Sequence, residues 1–432
     1  MKKKLAVIGG GISGLTASYF ALRKGYAVEL YEASDRLGGL ASSFDFDGLR
    51  IERFYHFLCG GDDRILLLSR RLGLGDKIRF RPTRTAIFLD GRYYPFTSAA
   101  DLLRFSPLPI ISRFRFGWNI VRSKYLSRWE MLDNVAAVDW LRRRIGKKAY
   151  RAVWEPLLKT KFGPYHERIS AAWIWHRTHR VASSRRTLLS REKMGYFEGG
   201  TQTLIDEIEK QILGSGGMIR LGTAVGQLKR ADDRYDLLTD AGRRGGFDRV
   251  VIAVPLPVAA RLVGGESPAY ARELSRIDFI GVVCGILRLP EKVSDAFWLN
   301  INDSRLSASG LIEYTNLNPL QSIAPQKIVY ISLYTPTDDP DYASSEETLR
   351  VRFMKIIKSI NPSLDEDKLL GFRVFREPHA QPICPVGFKN TMPAVATPLK
   401  NVFLLDSTQL YPSDRVLSGL IGGAEKMVDD YF

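Results

Sequence analysis

Three glycines at fixed spacing, Gly9-x-Gly11-x-x-Gly14, carry the first recognisable chemistry, and Glu32 follows 18 residues after the last of them. In such a turn Gly9 reverses the chain, Gly11 lets the backbone approach a pyrophosphate, and Gly14 lets a helix close on a strand. Ser13 stands at the start of that helix, where free amides point at the phosphates. A carboxylate at Glu32 accepts both hydroxyls of an adenosine ribose and disfavours a 2′-phosphate. Just beyond it, Gly38-Gly39 and the nearby Arg36 add more backbone and a cation beside the pyrophosphate. The chemistry is dinucleotide binding.

His56, within Arg53-Phe54-Tyr55-His56-Phe57, is the candidate catalytic side chain. Imidazole titrates near neutrality and can donate to a cofactor or a substrate oxygen, with a buried structural histidine as the alternative reading. His176 and His179, spaced i,i+3, have no nearby acid or third ligand, so surface or phosphate contacts are expected and no metal site. Cys59, Cys284 and Cys384 lie far apart with no CxxC and no partner histidine. That excludes a disulfide scaffold, a thiolate zinc site and a nucleophilic cysteine, and it fits a reducing, cytoplasmic setting.

The elements that must position these groups follow from hydrophobic patterning. A buried strand over 4–8, a helix over 13–24 and a second strand over 27–31 bracket the glycines. Lys2, Lys3 and Lys4 before an uncharged run over 5–22 imitate a signal peptide, but four glycines dilute the run and no small-residue cleavage site follows. Strands are expected over 44–51, ahead of His56, and over 218–221, 247–255 and 401–406, the last ending in Asp406. Helices are expected over 204–213 and from Leu417 to Tyr431, and residues 337–347 read as an exposed connection. Tyr314, Tyr330 and Tyr334 alternate as on a sheet, more in keeping with ordinary half-buried strands than with a pocket wall.

The run Glu32-Ala33-Ser34-Asp35-Arg36-Leu37-Gly38-Gly39-Leu40 resembles the FAD-binding signature of the flavin amine oxidase superfamily. That group includes protoporphyrinogen oxidases, phytoene desaturases, monoamine oxidases and, more distantly, UDP-galactopyranose mutases. The resemblance implies FAD rather than NAD. It extends to Gly195-Tyr196-Phe197-Glu198-Gly199-Gly200-Thr201, which is similar to the family's return to the cofactor domain. It implies that Val225 meets the adenine through its backbone and that Asp406 meets the ribityl–pyrophosphate part. The helix starting at Leu417 then aims its positive end at the flavin. Glu377-Pro378-His379-Ala380-Gln381-Pro382 resembles a stretch that lines the flavin face, with Cys384 where an aromatic often sits. No cysteine lies near Asp406, so the implied FAD is non-covalent. The stretch around His56 is similar to one that sugar mutases place beside the isoalloxazine.

Charge divides the chain. Of its 432 residues, 45% are hydrophobic, and the net charge is +16 with ordinary glycine and proline content, which excludes collagen-like and disordered classes. Between Arg104 and Lys193 stand 21 Lys and Arg against six acids, together with six of the seven tryptophans. An anionic partner is therefore expected there. The leading edge, 102–121, mixes aromatics, aliphatics and arginines, which suits an anionic membrane surface. A solvated basic face is the alternative. The resemblance agrees with the first, because membrane-bound protoporphyrinogen oxidases carry a helical insertion in this part. No nucleic-acid-binding motif accompanies the charge, so no nucleic-acid partner is expected.

The expected architecture is α/β. A Rossmann-like FAD-binding domain of glutathione-reductase type is built from 1–78, 194–268 and 385–432. A mixed-sheet substrate domain uses 79–100 and 269–384, and a basic helical insertion uses 101–193. The expected function is FAD-dependent oxidation, by hydride removal, of an anionic, amphipathic small molecule such as a porphyrinogen or a lipid-linked sugar. A flavin-dependent sugar mutase is the alternative. The expected location is the cytoplasm, peripheral on the inner face of the cytoplasmic membrane.

Overall fold

The computed structural model describes residues 2–126, 128–183 and 193–432. Part of the basic run, including Arg185, Arg186 and Arg191, lies outside the described residues. Strand β1 (Lys4–Ile8), helix α1 (Ile12–Arg23) and strand β2 (Ala27–Tyr31) form at the amino-terminal end of the chain. They belong to a five-stranded parallel sheet in the order 218–220, β2, β1, 249–252, 402–404. The run Leu5-Ala6-Val7-Ile8 is apolar throughout because both faces are covered. Leu5 and Val7 pack with α1 and the helices Gln202–Gly214 and Leu417–Tyr431. Ala6 and Ile8 pack with the three-stranded antiparallel sheet of residues 225–247 through Leu228, Leu237 and Phe247.

A second, seven-stranded mixed sheet runs in the order 371–382, 279–289, 327–335, 310–313, 298–301, 85–89, 92–95. Its pairings are antiparallel except between 298–301 and 85–89. Helix Glu346–Ile360 seals one face with Leu349, Phe353 and Ile357. Residues Ala99–Ser183 form the third part. There the helices Ile110–Tyr125, Ala137–Ile145, Glu155–Phe162 and Ala171–Ser183 bury Phe116, Trp140, Phe162 and Trp173 among themselves. Among the contacts that fasten this helical part to the carboxy-terminal region is a buried cluster. Tyr411 Oη donates to Asp133 Oδ1 at 2.5 Å and lies 2.7 Å from Ser170 Oγ.

Three expectations need correction. Residues 44–51 are a hairpin, Ser43–Phe46 and Leu49–Glu52, and not one strand. Asp47 and Gly48 both have positive φ (53° and 82°), the conformation that a tight two-residue hairpin turn requires. The segment 337–347 is largely helical, with Pro340–Ala343 capped by Asp339 and Glu346–Ile360 capped by Ser345. Tyr314 sits in a 3₁₀ turn, Tyr314–Asn316, and not on a strand. No described helix is long and apolar enough to cross a membrane.

Candidate functional site

The glycine turn is closed by the acid that follows β2. Gly10 N donates to Glu32 Oε2 at 2.6 Å, and Ser34 donates to Glu32 Oε1 through its amide (2.9 Å) and its hydroxyl (2.8 Å). Gly38 N donates to Gly10 O at 2.8 Å, which brings the second glycine pair against the first. Two of the glycines serve different ends. A Cβ on Gly14 would stand 1.9 Å from Gly9 O, so close packing of α1 on the turn demands glycine there. A Cβ on Gly11 would meet nothing within 4 Å, because Gly11 faces open space at the helix start.

That space is a cavity of about 760 Å³. Gly9, Gly11, Ser13, Glu32, Gly38, Gly39, His56, Asp406 and Leu417 all line it, so most of the expected site residues converge. Asp406 is buried, caps the turn Ser407–Leu410 by accepting from Thr408 N at 2.8 Å, and has its carboxyl pushed up by burial. The amino-terminal turn of Leu417–Tyr431 opens on the cavity through Val416, Leu417 and Leu420, and so presents helix-start amides to it. His56 is half-buried; burial lowers its pKa, which favours the neutral ring at pH 7. Glu377, His379 and Ala380 also reach the wall.

Four residues lie elsewhere than expected. Arg36 is spent on its neighbour Asp35, at 2.9 Å on the surface, and is not on the cavity wall. Arg53 stands there instead, donating to Gly39 O at 2.8 Å. Val225 opens the strand Val225–Ala231 and is not on the wall. Cys384 is buried and is not on the wall. His176 reaches the cavity rather than the surface, and burial holds its pKa down to about 4.

The far side of the cavity is aromatic and cationic. Tyr55, Phe57, Trp298 and Tyr334 line it, with the Tyr55 and Phe57 rings both 5.8 Å edge-on from Trp298. Lys161 is 7% exposed, with Nζ 5.0 Å from the Trp173 ring and 5.3 Å from that of Tyr334. Asp414 Oδ2 lies 3.6 Å from Lys161 Nζ and 3.5 Å from Arg177 Nη1. Burial lowers the Lys161 ammonium to about 8, and the neighbouring cations hold the Asp414 carboxyl well below the usual range despite its burial. Arg180 is paired with Asp62 at 3.0 Å. Sequence reasoning saw these cations only as a charge run. The finer signal is the helical spacing Trp173, His176, Arg177, Arg180, which puts ring and cation on one face of Ala171–Ser183.

The residues present fit a flavin dinucleotide. The Gly11 opening leaves room for a pyrophosphate, Glu32 stands at the ribose position, and buried Arg53 Nε, His56 Nδ1 and Arg415 Nε on the wall have no hydrogen-bond partner among the described residues. The family model of the flavin containing amine oxidoreductases matches residues 12–407. The chain belongs to this family. As a member it is an FAD-dependent oxidoreductase.

Among relatives of this flavin amine oxidoreductase, the coproporphyrinogen III oxidase of Staphylococcus aureus is 23% identical over 303 residues, covering 62% of this chain and 64% of that enzyme. The match therefore spans less than two thirds of that relative's length. The coproporphyrinogen III oxidase of Propionibacterium freudenreichii is 25% identical over 406 residues, covering 78% and 74%. The crystal structure of the "putative protoporphyrinogen oxidase" of Exiguobacterium superposes with a TM-score of 0.79 at 20% identity, covering 100% of this chain and 98% of the other. At that identity the likeness speaks for the fold.

Proposed function

We propose that this flavin oxidoreductase takes hydride from an anionic, amphipathic substrate of the porphyrinogen class. One observation carries the reading. The dinucleotide cradle opens into a chamber whose far wall combines aromatic rings with Lys161, Arg177 and Arg415 around the carboxylate of Asp414. Flat apolar rings fit Tyr55, Phe57, Trp298 and Tyr334, while carboxylate arms fit the cations. FAD, when bound, supplies the hydride acceptor. The chain binds and orients the substrate and excludes water from a largely apolar chamber. Neutral His56 presents a hydrogen-bonding ring there without adding charge. The names of the coproporphyrinogen oxidase relatives support the same substrate class.

The test is the visible spectrum of the purified yellow protein under anaerobic conditions. Coproporphyrinogen or protoporphyrinogen should bleach the flavin band within turnover time. No bleaching by either, with conversion of a nucleotide sugar only after dithionite, would put a mutase in place of the oxidase.

A second property is favoured by the helix Ile110–Tyr125. Ile111 (71% exposed), Phe114 (63%), Trp118 (67%) and Tyr125 (77%) face outward, and Met131 (71%) stands close beyond the helix end. The spacing from 111 to 114 and from 114 to 118 is that of one helical face. Exposed apolar side chains flanked by arginines suit the boundary layer of an anionic membrane. The same helix turns Phe116, Asn119 and Ile120 toward the chamber. Phe114→Ser/Trp118→Ser should release the protein from anionic vesicles. Unchanged sedimentation would return this face to ordinary solvent.

A further inference from the structure

We propose that a second hollow, at the carboxy-terminal end of the helix Ile110–Tyr125, binds the phosphate of an anionic phospholipid headgroup. The hollow measures about 230 Å³ and is separate from the main chamber, although Asn119 lines both. The proposal rests on the membrane reading above and names the group that would anchor it.

The rim is made by Arg122, Arg128 and Arg144, all exposed, while Ser123, Leu132 and Trp140 beneath them are buried. Among the described residues, no acidic residue lines the hollow. Neighbouring arginines behave differently. Arg113 donates to Leu103 O and Leu108 O, Arg115 donates to Arg143 O at 3.0 Å, and Arg142 stacks 4.9 Å from the Tyr150 ring. None of the three rim guanidiniums has a hydrogen bond or ion pair among the described residues. Their charges also feel one another, for burial and the nearby Arg122 both push the Arg144 guanidinium down. Three like charges converging over a buried floor, with no counter-charge supplied by the chain, favour an anion from outside.

Guanidinium forks match the oxygens of a phosphate, and three of them can share one group. The volume lies below the range of about 300–1,000 Å³ of drug-sized ligand sites, so a headgroup fits and a nucleotide does not. The apolar side chains decide for a lipid. Leu126 and Met131 complete the wall, and Met131 and Tyr125 are among the most exposed apolar residues of the chain. A phosphate held by the rim would place its acyl chains along that apolar face. Asn119 is the shared partition: its side chain has no hydrogen-bond partner among the described residues and lies between the hollow and the chamber. Seating a lipid here would set the helix against the bilayer with Phe116, Asn119 and Ile120 on the chamber side, where an amphipathic substrate would enter.

The experiment is sedimentation of the FAD-loaded protein with vesicles of phosphatidylcholine alone or mixed with phosphatidylglycerol. The wild type should prefer the anionic vesicles, and Arg122→Gln/Arg144→Gln should lose about tenfold or more in affinity. The control Lys147→Gln/Lys148→Gln removes equal charge from exposed positions of the same helical part and should lose clearly less. Far-UV circular dichroism checks that each variant folds. Equal losses in both variants would mean diffuse attraction and overturn the pocket. Unchanged binding by the arginine variant, with release by Phe114→Ser/Trp118→Ser, would also overturn it while leaving the membrane reading intact. A wild type indifferent to every vesicle would sink the membrane reading itself. If inorganic phosphate then raised the melting temperature of the wild type and not of the arginine variant, the site would be one for free phosphate, and the lipid assignment would fall.

Discussion

Lys161 Nζ and Asp414 Oδ2 stand 3.6 Å apart inside the cavity, and Arg177 Nη1 approaches the same oxygen at 3.5 Å. One buried carboxylate therefore serves two cations at long range, which leaves donors on both to spare. The proposed substrate's carboxylate would fill them. Lys161→Met should cost about 2 kcal/mol of transition-state binding, or roughly thirtyfold in kcat/KM, mainly through KM. Lys161→Arg should restore part of it. The more highly carboxylated porphyrinogen should suffer more than the less carboxylated one. Steady-state kinetics on both substrates checks this, and an unchanged KM would remove Lys161 from substrate binding.

The same lysine sets a pH dependence. Its ammonium is lowered to about 8 in the free protein, first by burial, so it loses its charge as pH rises through that value. A bound carboxylate favours the charged form, so binding takes up a proton and weakens on the alkaline side. The kcat/KM profile should fall above pH 8 in the wild type. The limb should be absent in Lys161→Met and shifted beyond pH 10 in Lys161→Arg.

Two glycines only three residues apart should respond in opposite ways. Gly11→Ala places its methyl in open space, so the fold should persist while FAD affinity falls at least about tenfold, because the pyrophosphate loses its approach. Gly14→Ala drives a methyl to 1.9 Å from Gly9 O, so the protein itself should be lost. Flavin absorbance per folded protein, with circular dichroism as the control, separates the two outcomes.

His176 gives a stability signature. Its pKa is depressed to about 4, first by burial and then by His179 and Arg180, against 6.5 when unfolded. Between those values the unfolded chain binds more protons, so stability falls as pH drops from 6.5 toward 4. The loss is ~3 kcal/mol at most. His176→Gln should flatten that part of the melting-temperature profile, as thermal melts across the window would show.

The cofactor half of the site was legible because its contacts are local in sequence. Glycine spacing, two apolar strands and one acid within 32 residues specify a turn that the backbone itself builds. The hairpin at 43–52 was overlooked although Asp47-Gly48 announces it, since alternation alone does not distinguish one long strand from two short ones. Arg36 was misplaced because Asp35, next to it, offers a nearer charge than a pyrophosphate across the turn. The half proposed to hold the substrate was not legible. Lys161, Arg177 and Asp414 come from three segments more than ten residues apart, and only tertiary packing brings them to one wall. Their sequence neighbourhood shows a basic run but not which of its members turn inward.

The buried contact of Tyr411 with Asp133 and Ser170 has a bearing on inheritance. Tyr411 lies three residues before Asp414, so the peptide bearing the anion of the proposed substrate wall is moored to the same helical part that supplies Lys161 and Arg177. Those helices are contiguous in sequence and look transplantable into another oxidase of the family. Grafted alone, they would arrive without the tyrosine hydroxyl that Asp133 accepts and without the carboxylate that balances Lys161. The portable unit is therefore two pieces of chain, 99–183 and 411–415, and exchange of substrate preference between relatives would require both to move together.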